Sequence, residues 1–345
     1  MSRRSLRSVS WAAPLGLALM AALAANDASA YCRMTVGGGA QVGNQACVEI
    51  GEPFFWNDTC LSYAVDGRGS VWMDLSEIED SVNAAFEAWE TAECPEGGTP
   101  NLVFKPSMQP STCKRAEFNN VGNVNTIAFL DPWEDPCLDD GGDPYDARAF
   151  AVTIVWHNTS TGEILDADMM INDQRFVPGR SAGGPYADCP PESEGGCLDN
   201  DADLRGIVTH EAGHFIGIGH CNPDNINDPD DPCVVATMFA SAERNAVDKR
   251  SLAPDDIDAV CEIYPPGNLD QTCTAIPIGG LQLNCETTAS GNPIACDGPG
   301  AASSSSGGCS CSTTQTPAGA LWATFAALIG LTVTRRRSAR RGARS

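Results

Sequence analysis

Residues 209–220 read THEAGHFIGIGH, and they hold three of the chain's four histidines. His210 and His214 are four residues apart, so on a helix their side chains leave the same face one turn apart. Two imidazoles so placed reach a single zinc ion at about 2.0–2.1 Å each. Glu211 is offset around the helix, where its carboxylate meets a water at the metal rather than the metal itself. Gly217 accepts positive φ without steric cost, so the chain turns and brings His220 up as a third ligand. Three neutral imidazoles leave one tetrahedral position open, the mark of a catalytic rather than a structural zinc. A lone H-x-x-x-H would read equally well as an ordinary helix face. Here H-E-x-x-H-x-x-G-x-x-H fixes five positions at once, and no cysteine falls within it.

Around this stretch the hydrophobic pattern switches between two periods. Asp203 or Asp201 can cap the histidine-bearing helix, and Leu204, Ile207, Val208 and Phe215 form its apolar face; Gly217 and Gly219 stop it. Upstream, CLSYAVD (60–66) alternates like a half-buried strand. Leu75, Ile78, Val82, Ala85, Phe86 and Trp89 then recur at helical steps, with Asp74 and Glu77 as a capping pair and Pro95 as the terminator. LVFKP (102–106), TIAFL (126–130), AFAVTIVW (149–156) and ILDADMMI (164–171) are further short strands. Downstream, a helix from Pro254 to about Tyr264 starts on proline and carries Asp255 and Asp256 at its positive end. This order describes an α/β or α+β sheet domain of ordinary single-domain size.

Both ends have the layout of processing signals. Residues 1–30 join a basic start to an apolar run and the small-residue triplet Ala28-Ser29-Ala30, as in a cleaved secretion signal. All sixteen cysteines follow Ala30, a density that belongs to an oxidising compartment. Cys189 with Cys197 and Cys221 with Cys233 are the expected local bridges, because each closes a short loop. The formal charge is −24 although both ends are rich in arginine, so the body repels nucleic acid and anionic membrane surfaces. Residues 31–58 are suited to a short pro-segment, 267–300 to a cysteine-containing appendage, and 301–317 to a Ser/Gly linker with a cysteine motif. Residues 318–334 are uncharged and just long enough to span a bilayer, and the arginine tail to 345 would stay cytoplasmic. DNINDPDD (224–231) and LDDGGDPYD (138–146) are candidate Ca2+ loops, but neither matches an EF-hand, and solvated acidic loops fit as well.

VTHEAGHFIGIGH, with ATMFA and LAPDDIDAVCEIYP after it, resembles the matrixins, the matrix-metalloprotease-like branch of the metzincin zinc endopeptidases. The resemblance covers residues from Cys60 to about Tyr264. It implies an α+β catalytic domain at 59–266, built on a twisted mixed sheet with two long helices and a C-terminal helix. It further implies one catalytic Zn2+ on His210, His214 and His220, with Glu211 as general base and proton shuttle. Met238, in the methionine turn, would floor the site. An extended peptide substrate would lie against an edge strand, for which AFAVTIVW or the stretch before it is the candidate. Two family features are missing. Only His157 remains for a second, structural zinc, and the inhibitory P-R-C-G-x-P-D switch has no counterpart around Cys32 or Cys47. The C-terminal end, with GGCSCS, an apolar segment and an arginine cluster, is similar to the MYXO-CTERM type of sorting tail, which implies anchoring through Cys309 or Cys311.

The expected protein is therefore a secreted zinc endopeptidase, monomeric, tethered to the cell surface or outer membrane by its tail, and acting on proteins or peptides. The competing expectation is a surface binding protein on the same fold that no longer cleaves. The intact Glu211 argues against it, since a non-cleaving site has no use for a base there.

Overall fold

A computed structural model describes residues 31–284, except 38–46, 48, 114, 119–121, 135–144, 192–193, 195, 199, 222, 224–230 and 268–271, and the backbone of three residue pairs beyond. The secretion signal, the linker apart from Cys309–Ser310, the sorting segment apart from Phe325–Ala326, and most of the appendage lie outside the described residues. So do both candidate Ca2+ loops, apart from Tyr145, Asp146 and Asp231.

The elements run β1 (Cys32–Arg33), β2 (Cys60–Val65), α1 (Leu75–Glu90), β3 (Val103–Pro106), β4 (Thr126–Leu130), β5 (Ala151–His157) and β6 (Ile164–Asn172). Then follow β7 (Tyr186–Ala187), β8 (Ala202–Asp203), α2 (Leu204–Phe215), β9 (Ile218–Gly219), α3 (Pro232–Val235) and α4 (Pro254–Ile263). Five strands make one mixed sheet in the order β5-β6-β4-β2-β3. β2, β3, β4 and β6 run parallel, and β5 pairs antiparallel with β6. Within the domain β5 is therefore an edge. The backbone of Phe325–Ala326 lies antiparallel beside Val152 and Thr153 on its outer side. With few helices on a mixed sheet, the class is mixed α and β, compatible with α+β.

Side-chain alternation sorts the strands between two layers. Ile127 and Phe129 of β4, Ala151 of β5, and Ala167, Met169 and Ile171 of β6 face the helices. Ala128, Leu130, Val152 and Met170 point the other way, into a second cluster closed by Trp133. On the helix side, Phe86 of α1 stacks on Tyr63 at 4.2 Å and meets Phe215 of α2 edge-on at 5.3 Å. Trp89 joins the two helices directly, its Nε1 donating to the Thr209 carbonyl at 2.8 Å. The chain leaves α1 at Glu90, ahead of Pro95, where the Thr91 hydroxyl donates to the Glu87 carbonyl at 2.7 Å.

The described part of residues 31–58, read above as a candidate pro-segment, adds side chains to the same core. Met34 and Phe54 are buried in it, and β1 pairs antiparallel with β9. Among the described residues five disulfides are closed: Cys32–Cys47, Cys60–Cys273, Cys94–Cys261, Cys189–Cys197 and Cys221–Cys233. Both expected local bridges are among them. No helix of the described residues is long and apolar enough to cross a membrane.

Candidate metal centre

α2 supplies the first half of the centre. Asp203 caps it, its carboxylate accepting from the Gly206 amide at 2.9 Å, and Arg250 pairs with the same carboxylate. His210 and His214 project from successive turns. The helix ends at Phe215, and Gly217 then takes a φ of +93°, where a Cβ would press on the Phe54 carbonyl oxygen at 2.8 Å. β9 follows that turn, held by β1, and delivers His220 to the other two rings. The turn expected from Gly217 is present, and β1 is what fixes its exit.

The three imidazoles converge through their Nε2 atoms. His220 Nε2 lies 3.1 Å from His214 Nε2 and 3.2 Å from His210 Nε2. All three rings are buried, and their ligand atoms fall within 4.8 Å of one another. The remaining nitrogens fix the tautomers. His210 Nδ1 lies 2.7 Å from the Thr237 carbonyl and His214 Nδ1 lies 2.8 Å from the Ile218 carbonyl. A carbonyl only accepts, so both Nδ1 atoms carry the proton and both Nε2 lone pairs face inward. Burial pushes the His214 pKa down to about 4 and holds His210 and His220 well below the usual imidazole range, each depressed further by its ring neighbours. Three neutral lone pairs pointing at one another repel unless they share a cation. Tetrahedral zinc at 2.0–2.1 Å from each nitrogen requires N···N spacings of about 3.3 Å, close to those seen.

Glu211 is buried beside this cluster. Its Oε2 accepts a 2.7 Å hydrogen bond from Thr153 Oγ1, and the same hydroxyl lies 3.2 Å from the Glu211 carbonyl oxygen. Burial pushes its pKa up to about 8, against the pull of the Thr153 hydrogen bond. A small cleft of about 10 Å³ lies next to it, lined by Gly206, Ile207, His210, Glu211, Phe239, Ala242 and Lys249.

Met238 lies beneath α2 and is fully buried. A Cβ added at Gly213 would overlap its sulfur and come within 2.9 Å of Trp89 Cζ2. The turn carrying Met238 is held by Asp256 of α4. Its carboxylate accepts from the amides of Thr237 at 2.7 Å, Met238 at 3.0 Å and Ala253 at 2.8 Å. Lys249 closes the far side of the turn, donating to the Ala236 carbonyl at 2.5 Å.

All five residues named from the sequence, His210, Glu211, His214, His220 and Met238, thus meet in one place. Thr153, Gly213, Lys249 and Asp256 belong to the same place but carried no signal of it. Asp256 read only as a dipole residue, and Thr153 only as one position of a strand. His157, the fourth histidine, lies tilted against Phe54 instead, with ring centroids 4.2 Å apart. No protein-family model and no curated protein matches the chain.

Proposed function

We propose that this chain is a zinc-dependent endopeptidase of matrixin type, with a metzincin catalytic domain at 59–266. The observation that carries the proposal is the convergence of three buried Nε2 atoms on one point, two of them on rings whose tautomer a backbone carbonyl fixes, with a buried carboxylate beside them. Three nitrogen donors leave a tetrahedral ion one position open, which is the arrangement of catalytic zinc.

When bound by His210, His214 and His220, zinc supplies Lewis acidity, polarising a peptide carbonyl and acidifying a water at neutral pH. Glu211 then takes the proton of the attacking water on its carboxylate and returns it to the leaving amine. β5, the strand behind Glu211, is the candidate support for an extended peptide, which would take the place of the Phe325–Ala326 backbone that pairs with Val152 and Thr153. Met238 contacts no substrate in this scheme; it supports α2 from below. The disulfides are consistent with an extracellular protein. Secretion from residues 1–30 and tethering through Cys309 or Cys311 complete the proposal.

The test is metal content and proteolysis measured on one preparation. One zinc per chain and cleavage of unfolded protein substrates are expected, with cleavage lost and zinc kept in Glu211→Ala. A wild-type protein that binds one zinc but cleaves nothing between pH 6 and 9 would leave the non-cleaving surface binder as the better description.

A further inference from the structure

Thr153 is out of pattern on its strand. Position 153 lies on the helix-facing side of β5, two residues from Ala151 and two from Val155, both packed in the apolar core. Its own exposure is 0%. Valine has the same shape, forms strands as readily and would bury no hydroxyl there. A buried hydroxyl without partners costs about 1–3 kcal/mol, so threonine at this position needs an acceptor.

Both acceptors within reach belong to one residue. Thr153 Oγ1 lies 2.7 Å from Glu211 Oε2 and 3.2 Å from the Glu211 carbonyl oxygen. No other hydrogen bond to the Glu211 carboxylate is present among the described residues. The hydroxyl has one proton, and it serves the carboxylate at the shorter distance.

We infer that Thr153 is the positioning residue of Glu211. Its hydroxyl holds Oε2 against β5 and leaves Oε1 as the oxygen that exchanges the proton beside His210. Thr153 lies on the strand proposed to support the peptide, so the same strand would set the place of the substrate and the aim of the base. This inference rests on the peptidase function proposed above.

The experiment compares wild type, Thr153→Val and Thr153→Ser on one fluorogenic peptide that the wild type cleaves, reading kcat, KM and zinc content. Thr153→Val is expected to lower kcat by about 10–100-fold with KM and zinc unchanged, as for other residues that orient a group from behind. Thr153→Ser is expected to recover most of the loss, because it restores the hydroxyl and not the methyl. The inference is overturned if Thr153→Val keeps wild-type kcat, or if Thr153→Ser falls as far as Thr153→Val. Should Thr153→Val lose its zinc, Thr153→Ala against Thr153→Ser decides by the same criterion. A zinc-loaded wild type that cleaves no peptide overturns the peptidase proposal itself, an outcome distinct from active enzyme with an indifferent Thr153→Val.

Discussion

Gly213 has no side chain because Met238 fills the space where one would be. The helix that carries the histidines and the turn beneath it are thus in direct contact, with Trp89 closing the third side. Alanine normally stabilises a helix interior relative to glycine by about 1 kcal/mol. Here the overlap reverses the sign: overpacking of this kind costs about 1–3 kcal/mol. Gly213→Ala is expected to lower the melting temperature and to weaken zinc binding, since Met238 or α2 must move. Thermal melts and zinc titration check both; an unchanged melting temperature would mean that Met238 repacks freely.

The carboxylate of Asp256 is the acceptor for three backbone amides at 2.7–3.0 Å, two of them in the turn whose Thr237 carbonyl holds His210. Asp256→Ala strands two buried donors and a part-buried one, at a cost of about 3 kcal/mol. Zinc affinity is expected to fall about 10–100-fold, the usual effect of removing a ligand's outer support. Asp256→Asn, which keeps one oxygen, should fall between the two. Competition with a chromophoric chelator measures the affinities, and a wild-type value for Asp256→Ala would separate the turn from the metal site.

Glu211 makes the zinc-free protein less stable at neutral pH. Its pKa is raised to about 8 in the fold, against about 4.3 in the unfolded chain. Below the unfolded value both states hold the proton, and there is no penalty. As pH rises, the unfolded chain ionises first, so the penalty grows up to pH 8 and then levels off. Glu211→Gln should therefore raise the melting temperature of the zinc-free protein at pH 7.5 and leave it nearly unchanged at pH 4. Differential scanning fluorimetry at the two pH values reads the difference.

The histidines act in the opposite direction. His214, with its pKa held down to about 4 by burial, stays neutral in the fold while the unfolded chain takes up a proton below pH 6.5. Stability of the zinc-free protein should fall as pH drops from 6.5 to 4 and change little from this source below that. His214→Gln should make this slope shallower, leaving the share of His210 and His220, which a melting series between pH 4 and 7 would show.

The disulfides differ in what they hold. Cys94–Cys261 closes a loop of 167 residues and ties the end of α1 to α4, whereas Cys189–Cys197 closes one of 8. Loop entropy gives about 5 kcal/mol for the first and about 2.5 kcal/mol for the second. Replacing both cysteines of the long bridge by serine should lower the melting temperature more than the same change at the short one. Equal losses would point to strain or local packing rather than chain entropy.

How much of this was legible in the sequence can be judged from particular elements. β2, β4, β5 and β6 were visible because each alternates or runs apolar between turn residues, and α1 because its apolar positions keep a helical period. The two short bridges were visible because sequence distance limited spatial distance. Cys60–Cys273 and Cys94–Cys261 were not, since the partners are brought together only by folding. Residues 31–58 had no periodicity to read, yet Met34 and Phe54 enter the core and β1 holds β9. A two-residue strand leaves no pattern in composition.

The sequence by itself determined which side chains could share one metal ion. The spacing of His210, His214 and His220 around Gly217 follows from helix geometry and the freedom of glycine, and both are local properties. Tertiary structure alone decided what stands behind those residues: Thr237 on His210, Asp256 on the turn, Met238 under Gly213 and Thr153 on Glu211. Each of these contacts joins positions at least eighteen residues apart, or fills a volume that neither partner defines alone. Hydrogen-bond direction and close packing are set by where whole elements come to rest, and no local period records that.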